Sequence, residues 1–157
     1  MKSIILIGMP SSGKTYVGEA LAKSLQRPFI DLDDVFIERV QRTPQEVVKQ
    51  DGHELFRRLE TECLASVADI QDAVISTGGG IVTEERNRPY LEKNIIIYVK
   101  RELDDLDVEG RPLAKGLSAA ALFAERRSLY ESWSHYEVEN HDAEQAVADI
   151  RRLLEDC

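Results

Sequence analysis

A glycine-rich turn near the amino terminus constrains the fold of this chain more than any other feature. The sequence GMPSSGKT, residues 8–15, lies directly between a short apolar run, Ile4–Ile7, and an amphipathic helical pattern. The spacing of Gly, four residues and then Gly-Lys-Thr allows consecutive backbone N–H groups to turn inward around phosphate oxygens. This context predicts a strand–loop–helix unit that binds a nucleoside triphosphate, most often ATP.

Six residues of this phosphate loop (residues 8–15) have an expected role. We expect the Lys14 ammonium to reach the β and γ phosphates and the Thr15 hydroxyl to bind Mg²⁺. The helix that begins at about Gly13 adds the positive end of its dipole. The loop residues expected to bind the nucleotide are Gly8, Ser11, Ser12, Gly13, Lys14 and Thr15.

Short apolar runs recur along the rest of the chain, with helical patterns between them. Such alternation predicts an α/β fold, in which β–α units build a mostly parallel sheet with helices on both faces. One helix start is defined by a Thr43 cap, Pro44 at the first helical position and Glu46 as capping-box partner, and Gly52 can end that helix. The runs that predict strands are residues 4–7, 29–30, 73–75, 95–99 and, more weakly, 136–138.

Length and charge limit the classes of function. A chain of 157 residues fits a single domain with a sizeable core. The formal net charge of −9 argues against a nucleic-acid or membrane surface, because such surfaces need a basic stripe. The apolar amino-terminal run is too short for a secretory signal, and two cysteines suggest neither a disulfide framework nor a metal site. We therefore expect a soluble cytoplasmic protein.

Acidic residues follow the second predicted strand in FIDLDD. Because ligands gather at the carboxyl ends of parallel strands, Asp31 and Asp33 would face the same crevice as the phosphate loop. Two residues apart in an extended segment, they would share one side, one near Mg²⁺ and the other near an acceptor hydroxyl. The alternative is that Asp33 or Asp34 only caps the helix expected to start around Val35.

Two further stretches supply candidate ligand contacts. In HELFRRLETECLASV, helical spacing places Arg57 and Glu60 beside the apolar stripe and Arg58 toward solvent, although such an Arg–Glu pair is commonly a surface ion pair. The triple glycine at residues 78–80 follows another strand and permits a close approach of backbone to ligand. The segment at about 101–117 is acidic and poor in apolar residues, which predicts a surface flap.

Taken together, the stretches GMPSSGKT, DLDDVFIE, DGHELFRRLE, STGGG, GRPL and RRSLY resemble the shikimate kinase family in their order. They cover nearly the whole chain. The resemblance implies a P-loop kinase with a five-stranded parallel sheet flanked by helices and a lid at about 101–117, here short. It implies ATP- and Mg²⁺-dependent phosphorylation of the 3-hydroxyl of shikimate. The enzyme is expected to be a monomer with one domain, residues 1–157, and a substrate-binding region at about 33–62.

The resemblance also implies roles for individual residues. Asp31 would hold the metal through water, and Asp33 would be the catalytic base at the acceptor hydroxyl. Arg111 in GRPL would reach the phosphates when the lid closes and would stabilise charge on the transferring group. The residues that would contact shikimate are Asp33, Arg57, Gly79, Gly80 and Arg126, with Glu60 orienting Arg57.

Two other functions remain open on the sequence. The first is a kinase of the same fold that acts on another hydroxy acid such as gluconate. The second is a nucleotide-binding regulatory module that has lost transfer, which the short lid favours and the presence of Lys14, Asp33, Arg57 and Arg126 opposes.

Overall fold

The computed structural model describes residues 2–10, 12–101 and 119–155. Its strands are β1 (Ile4–Ile7), β2 (Phe29–Asp31), β3 (Val74–Ser76), β4 (Ile95–Lys100) and β5 (Tyr136–Glu139). Its α-helices are α1 (Lys14–Leu25), α2 (Leu32–Val40), α3 (Pro44–Asp51), α4 (His53–Val67), α5 (Arg88–Glu92), α6 (Ala119–Trp133) and α7 (Ala143–Glu155). The five predicted strands are confirmed, each within one residue at either end.

The strands form one parallel sheet in the order β2-β3-β1-β4-β5. Central β1 pairs with β3 and β4, so that Ile4 lies opposite Val74 on one side and Ile95 on the other. Because β2 and β3 lie on one side of β1 and the chain then crosses to β4 on the other side, the crevice beyond the carboxyl end of β1 is the usual ligand site of an open α/β sheet.

Both faces of the sheet are covered, which explains why every residue of β1 is buried. Ile5 and Ile7 point to the face packed by α2, α3, α4 and α6, where Phe36 and Leu64 complete the core. Ile4 and Leu6 point to the opposite face, packed by α1 and α7. The predicted α/β layering is therefore confirmed.

Two helix starts show how local chemistry sets the boundaries. The Thr43 side chain accepts the Glu46 N–H at 3.1 Å while the Glu46 carboxylate accepts the Thr43 N–H at 3.1 Å, so the predicted capping box is confirmed. The expected start of α2 near Val35 is wrong: α2 begins at Leu32, and Asp31 is its cap. The Asp31 carboxylate accepts the Asp33 N–H at 2.9 Å, which satisfies one of the unpaired donors of the first turn.

Candidate active site

The phosphate loop runs from the end of β1 into α1 and takes its shape from two glycines. Gly8 and Gly13 have φ of 152° and 88°. A Cβ at Gly8 would lie 2.5 Å from the Val99 carbonyl oxygen, so a side chain there would collide with β4. Gly13 is the N-cap of α1 and no side chain caps this helix, which leaves first-turn N–H groups available to an anion.

Lys14 is buried within this loop, with 6% of the residue exposed. Its Nζ donates to the carbonyl oxygens of Gly8, at 2.9 Å, and Met9, at 2.8 Å. The ammonium is thus directed across the mouth of the loop. A buried ammonium of this kind suits a dense anion such as a triphosphate.

Oxygen atoms from three elements meet at the start of α1. Thr15 Oγ1 lies 3.4 Å from Asp31 Oδ2 and 3.4 Å from Ser76 Oγ. Hard oxygen donors of this kind suit Mg²⁺, which usually takes one or two carboxylates and completes its shell with water and substrate phosphates. No group of three or more acidic, His or Cys side chains that could hold a metal occurs among the described residues. Ser76 was not singled out from the sequence, although it begins the STGGG stretch.

Asp31 and Asp33 differ in conformation, which corrects the expectation that they share one side of an extended segment. Asp31 ends β2 and caps α2, whereas Asp33 belongs to the first turn of α2. Its Oδ1 would lie 3.9 Å from a Cβ placed on Gly78, so Asp33 faces the glycine turn after β3.

The three glycines of residues 78–80 each touch a different part of the site. A Cβ on Gly78 would lie 2.9 Å from Glu60 Oε2, and one on Gly79 would lie 2.6 Å from Pro10 Cδ in the phosphate loop. A Cβ on Gly80 would overlap the Arg57 guanidinium. The absence of side chains therefore brings the phosphate loop, α4 and this turn into direct contact.

Arg57 and Glu60 form a buried ion pair on α4. Arg57 Nη1 donates to Glu60 Oε1 at 2.9 Å, and the exposed fractions of the two side chains are 13% and 5%. Burial raises the pKa of Glu60, and the neighbouring Arg57 charge opposes that rise. Arg58 is exposed, as helix geometry predicted.

Arg126 of α6 brings a second positive charge to the same place. It is 4% exposed, and its charge lowers the pKa of Glu60. Its Nε is buried and, within the part of the chain that the structure describes, has no hydrogen-bond partner. A buried guanidinium with an unused donor is suited to bind an anion.

A residue not assigned to the site from the sequence completes the loop. Asn140, which follows β5, is 8% exposed and its Nδ2 donates to the Ser12 carbonyl oxygen at 2.8 Å. The same amide nitrogen lies where a Cβ of Gly13 would be. From the sequence, Asn140 and His141 follow the last predicted strand, where a base-binding loop was one alternative and a plain turn was the expected structure.

The structure brings together the predicted residues Gly8, Ser12, Gly13, Lys14, Thr15, Asp31, Asp33, Arg57, Gly79, Gly80 and Arg126. Ser12 lies in the loop wall with its hydroxyl buried and unpaired among the described residues. Ser11, Arg111 and residues 102–117 of the predicted lid lie outside the described residues.

A parallel sheet with a phosphate loop at its switch point, facing a buried pair of arginines and a carboxylate, defines a P-loop kinase with a small-molecule acceptor. The family model for shikimate kinase matches residues 10–156. The chain is 34% identical to shikimate kinase of Enterococcus faecalis, covering 99% of this chain and all of the relative. It is 37% identical to shikimate kinase 2 of Enterobacter sp., covering 96% and 94%.

Solved structures give the same result. Shikimate kinase from Acinetobacter baumannii in complex with shikimate superimposes with a TM-score of 0.92, at 27% identity, over 99% of this chain and 94% of that one. A gluconokinase from Sinorhizobium meliloti, with a TM-score of 0.60 and 19% identity, shares the fold alone. The chain belongs to the shikimate kinase family. It is an ATP- and Mg²⁺-dependent kinase that phosphorylates shikimate, a step in aromatic amino acid biosynthesis.

Proposed function

We propose that this chain transfers the γ-phosphoryl group of ATP to the 3-hydroxyl of shikimate as a cytoplasmic monomer, with residues 1–157 forming one domain. The observation that carries the proposal is the convergence of Asp33, Arg57 and Arg126 around Glu60, which borders the glycine turn that packs against the phosphate loop. None of the described helices is long and apolar enough to span a membrane.

The nucleotide side of the site provides positioning and charge. Backbone N–H groups of the phosphate loop and the Lys14 ammonium would surround the β and γ phosphates. Thr15, Asp31 and Ser76 would hold Mg²⁺, directly or through water. When bound, the metal supplies charge neutralisation on the phosphates. Binding of ATP would replace the contacts that Lys14 makes with its own loop carbonyls.

The acceptor side of the site provides recognition of a carboxylate. Arg57 and Arg126 would bind it, and guanidinium groups suit this task because their planar N–H pairs match carboxylate oxygens. Glu60 fixes the direction of Arg57 through their ion pair. Asp33 would align the attacking hydroxyl and accept its proton. We retain Arg111 as the lid residue that offsets charge on the transferring phosphoryl group.

The acceptor can be tested with purified protein, ATP and Mg²⁺. Shikimate, gluconate and buffer alone are compared by ADP release, and the phosphorylated carbon is assigned by NMR. We expect ADP release with shikimate and a phosphate on its 3-position. Transfer to gluconate alone would show that gluconate, and not shikimate, is the acceptor. ATP binding without transfer to either acceptor would favour the regulatory module.

Asp33→Asn tests the proposed base without altering the size of the side chain. General-base catalysis contributes about 10²- to 10⁴-fold, and we expect kcat to fall by about that factor. ATP affinity, measured by calorimetry, should stay within about twofold, because the proposed partner of Asp33 is the acceptor hydroxyl and not the nucleotide. Equal losses of turnover and ATP binding would remove Asp33 from this role.

A further inference from the structure

Tyr130 connects α6 to the glycine turn through its hydroxyl group. The residue is fully buried, and its hydroxyl donates to the Gly79 carbonyl oxygen at 2.5 Å. Its ring packs against Tyr98 of β4, with ring centroids 5.0 Å apart. Tyr130 also follows Arg126 by one helical turn, so the same face of α6 carries both side chains.

The Tyr130 phenol retains its proton at neutral pH. Burial raises the pKa of Tyr130 to about 12, and Arg126, through its charge and its hydrogen bond to the phenol oxygen, only partly opposes this effect. The hydroxyl is therefore a donor, which is what the Gly79 carbonyl requires. A phenylalanine would fill the same apolar space between Tyr98 and Met9 but would leave that carbonyl without this donor.

The Gly79 carbonyl sets the orientation of the next N–H. No cis peptide bond is present among the described residues, and in a planar trans peptide the C=O and the following N–H point in opposite directions. With the Gly79 oxygen directed at Tyr130, the Gly80 N–H is directed away from it. Within the described ranges this N–H makes no hydrogen bond, whereas the Gly80 carbonyl accepts from the Thr83 N–H and hydroxyl.

Gly80 lies next to the residue proposed to bind the carboxylate. A Cβ on Gly80 would overlap the Arg57 guanidinium, so the Gly80 backbone borders the acceptor side of the site. A free backbone donor in this position can contact an oxygen of the acceptor, provided that its peptide plane does not rotate. A peptide between two glycines rotates easily, and a hydrogen bond to its carbonyl oxygen opposes that rotation.

We propose that Tyr130 is a positioning residue for the acceptor: its hydroxyl fixes the Gly79–Gly80 peptide so that the Gly80 N–H faces the acceptor beside Arg57. This inference rests on the proposed function, since it concerns the same site. Tyr130 touches neither substrate and acts through the peptide. It links acceptor binding to the placement of α6, which also carries Arg126.

Tyr130→Phe tests the role, with Tyr98→Phe as the matched control. Both changes remove one phenol oxygen from the same ring pair, but only the first removes the bond to Gly79 and the contact of the phenol oxygen with Arg126. For Tyr130→Phe we expect the KM for shikimate to rise about 3- to 10-fold, the range expected for one hydrogen bond, while the KM for ATP stays within about twofold. Tyr98→Phe should leave both constants within about twofold.

The KM values remain informative if Tyr130→Phe is less stable, because KM does not depend on the fraction of folded enzyme. An unchanged KM for shikimate, a parallel rise in both constants, or a variant that fails to fold while Tyr98→Phe folds would each overturn the positioning role. In all three cases the proposed function would still stand if the wild-type protein phosphorylates shikimate. A wild type that does not phosphorylate shikimate would refute the proposed function and this role with it.

Discussion

At the residue scale, Arg57 and Arg58 are neighbours on α4 with opposite environments. Arg57 is largely buried against Glu60 and Phe56, whereas Arg58 is exposed. If Arg57 binds the carboxylate, Arg57→Ala removes charge-assisted hydrogen bonds, and we expect the KM for shikimate to rise about 10- to 100-fold. Steady-state kinetics checks this. Arg58→Ala is the control and should change the KM by less than about twofold; an unchanged KM in Arg57→Ala would exclude it from the carboxylate site.

Glu60 gives a prediction of pH dependence at the same scale. Burial raises its pKa in the folded protein above the ordinary value of 4.5. Above pH 4.5 the unfolded chain loses this proton while the folded chain keeps it, so the contribution of Glu60 to stability is complete below pH 4.5 and is lost as pH rises through the folded pKa. The slope is at most about 1.4 kcal/mol per pH unit.

Urea unfolding of wild type and Glu60→Gln between pH 4 and pH 8 measures this contribution. The free energy of unfolding of wild type, minus that of the variant, should decrease as pH rises from about 4.5 and then level off. Arg57, Arg126 and Asp33 also act on the Glu60 charge, and they are present in both proteins. A difference that stays flat with pH, or increases, would contradict the raised pKa.

At the scale of elements, the loop between β5 and α7 supports the phosphate loop through Asn140. Its amide donates to the Ser12 carbonyl at 2.8 Å, immediately before the helix start at Gly13. Asn140→Asp keeps the size but replaces the donor with an acceptor, and it places a negative charge beside the phosphate site. We expect the KM for ATP to rise about tenfold or more, with a smaller effect on the KM for shikimate.

Asn140→Ala separates the two causes within that prediction. It removes the donor without adding charge, so its KM for ATP should lie between those of wild type and Asn140→Asp. His141→Ala is the neighbouring control, because His141 is exposed and its side chain lies 2.9 Å from the Glu139 carboxylate, away from Ser12. If both Asn140 variants bind ATP as wild type does, the loop does not depend on this contact.

The elements also show what the sequence could predict. Apolar runs and the Thr43 capping box identified strands and a helix start because these signals depend on neighbouring residues alone. Which Asp of FIDLDD caps α2 depends on where β2 leaves the sheet. The local pattern therefore predicted Asp33 or Asp34 as the cap, whereas the cap is Asp31. The contacts of Asn140 with Ser12 and of Tyr130 with Gly79 join residues far apart in the chain, and spacing carries no signal for them.

At the scale of the whole molecule, a chain with net charge −9 binds two anionic substrates. Long-range repulsion therefore opposes their approach, whereas the buried charges of Lys14, Arg57 and Arg126 attract them only at short range. Salt screens exposed and distant charges far more than buried ones. Raising ionic strength should consequently weaken the repulsion more than the attraction.

We therefore expect kcat/KM for shikimate to increase, by about two- to threefold, when KCl raises the ionic strength from about 0.01 M to about 0.15 M. Free Mg²⁺ and the MgATP concentration are kept constant, and an equivalent series with sucrose controls for general effects of solutes. Because the repulsion comes from the charge of the whole surface, replacing several exposed acidic residues far from the site with neutral ones should weaken the dependence of kcat/KM on ionic strength. A steep fall of kcat/KM with salt in wild type would show instead that a positive surface guides the substrates to the site.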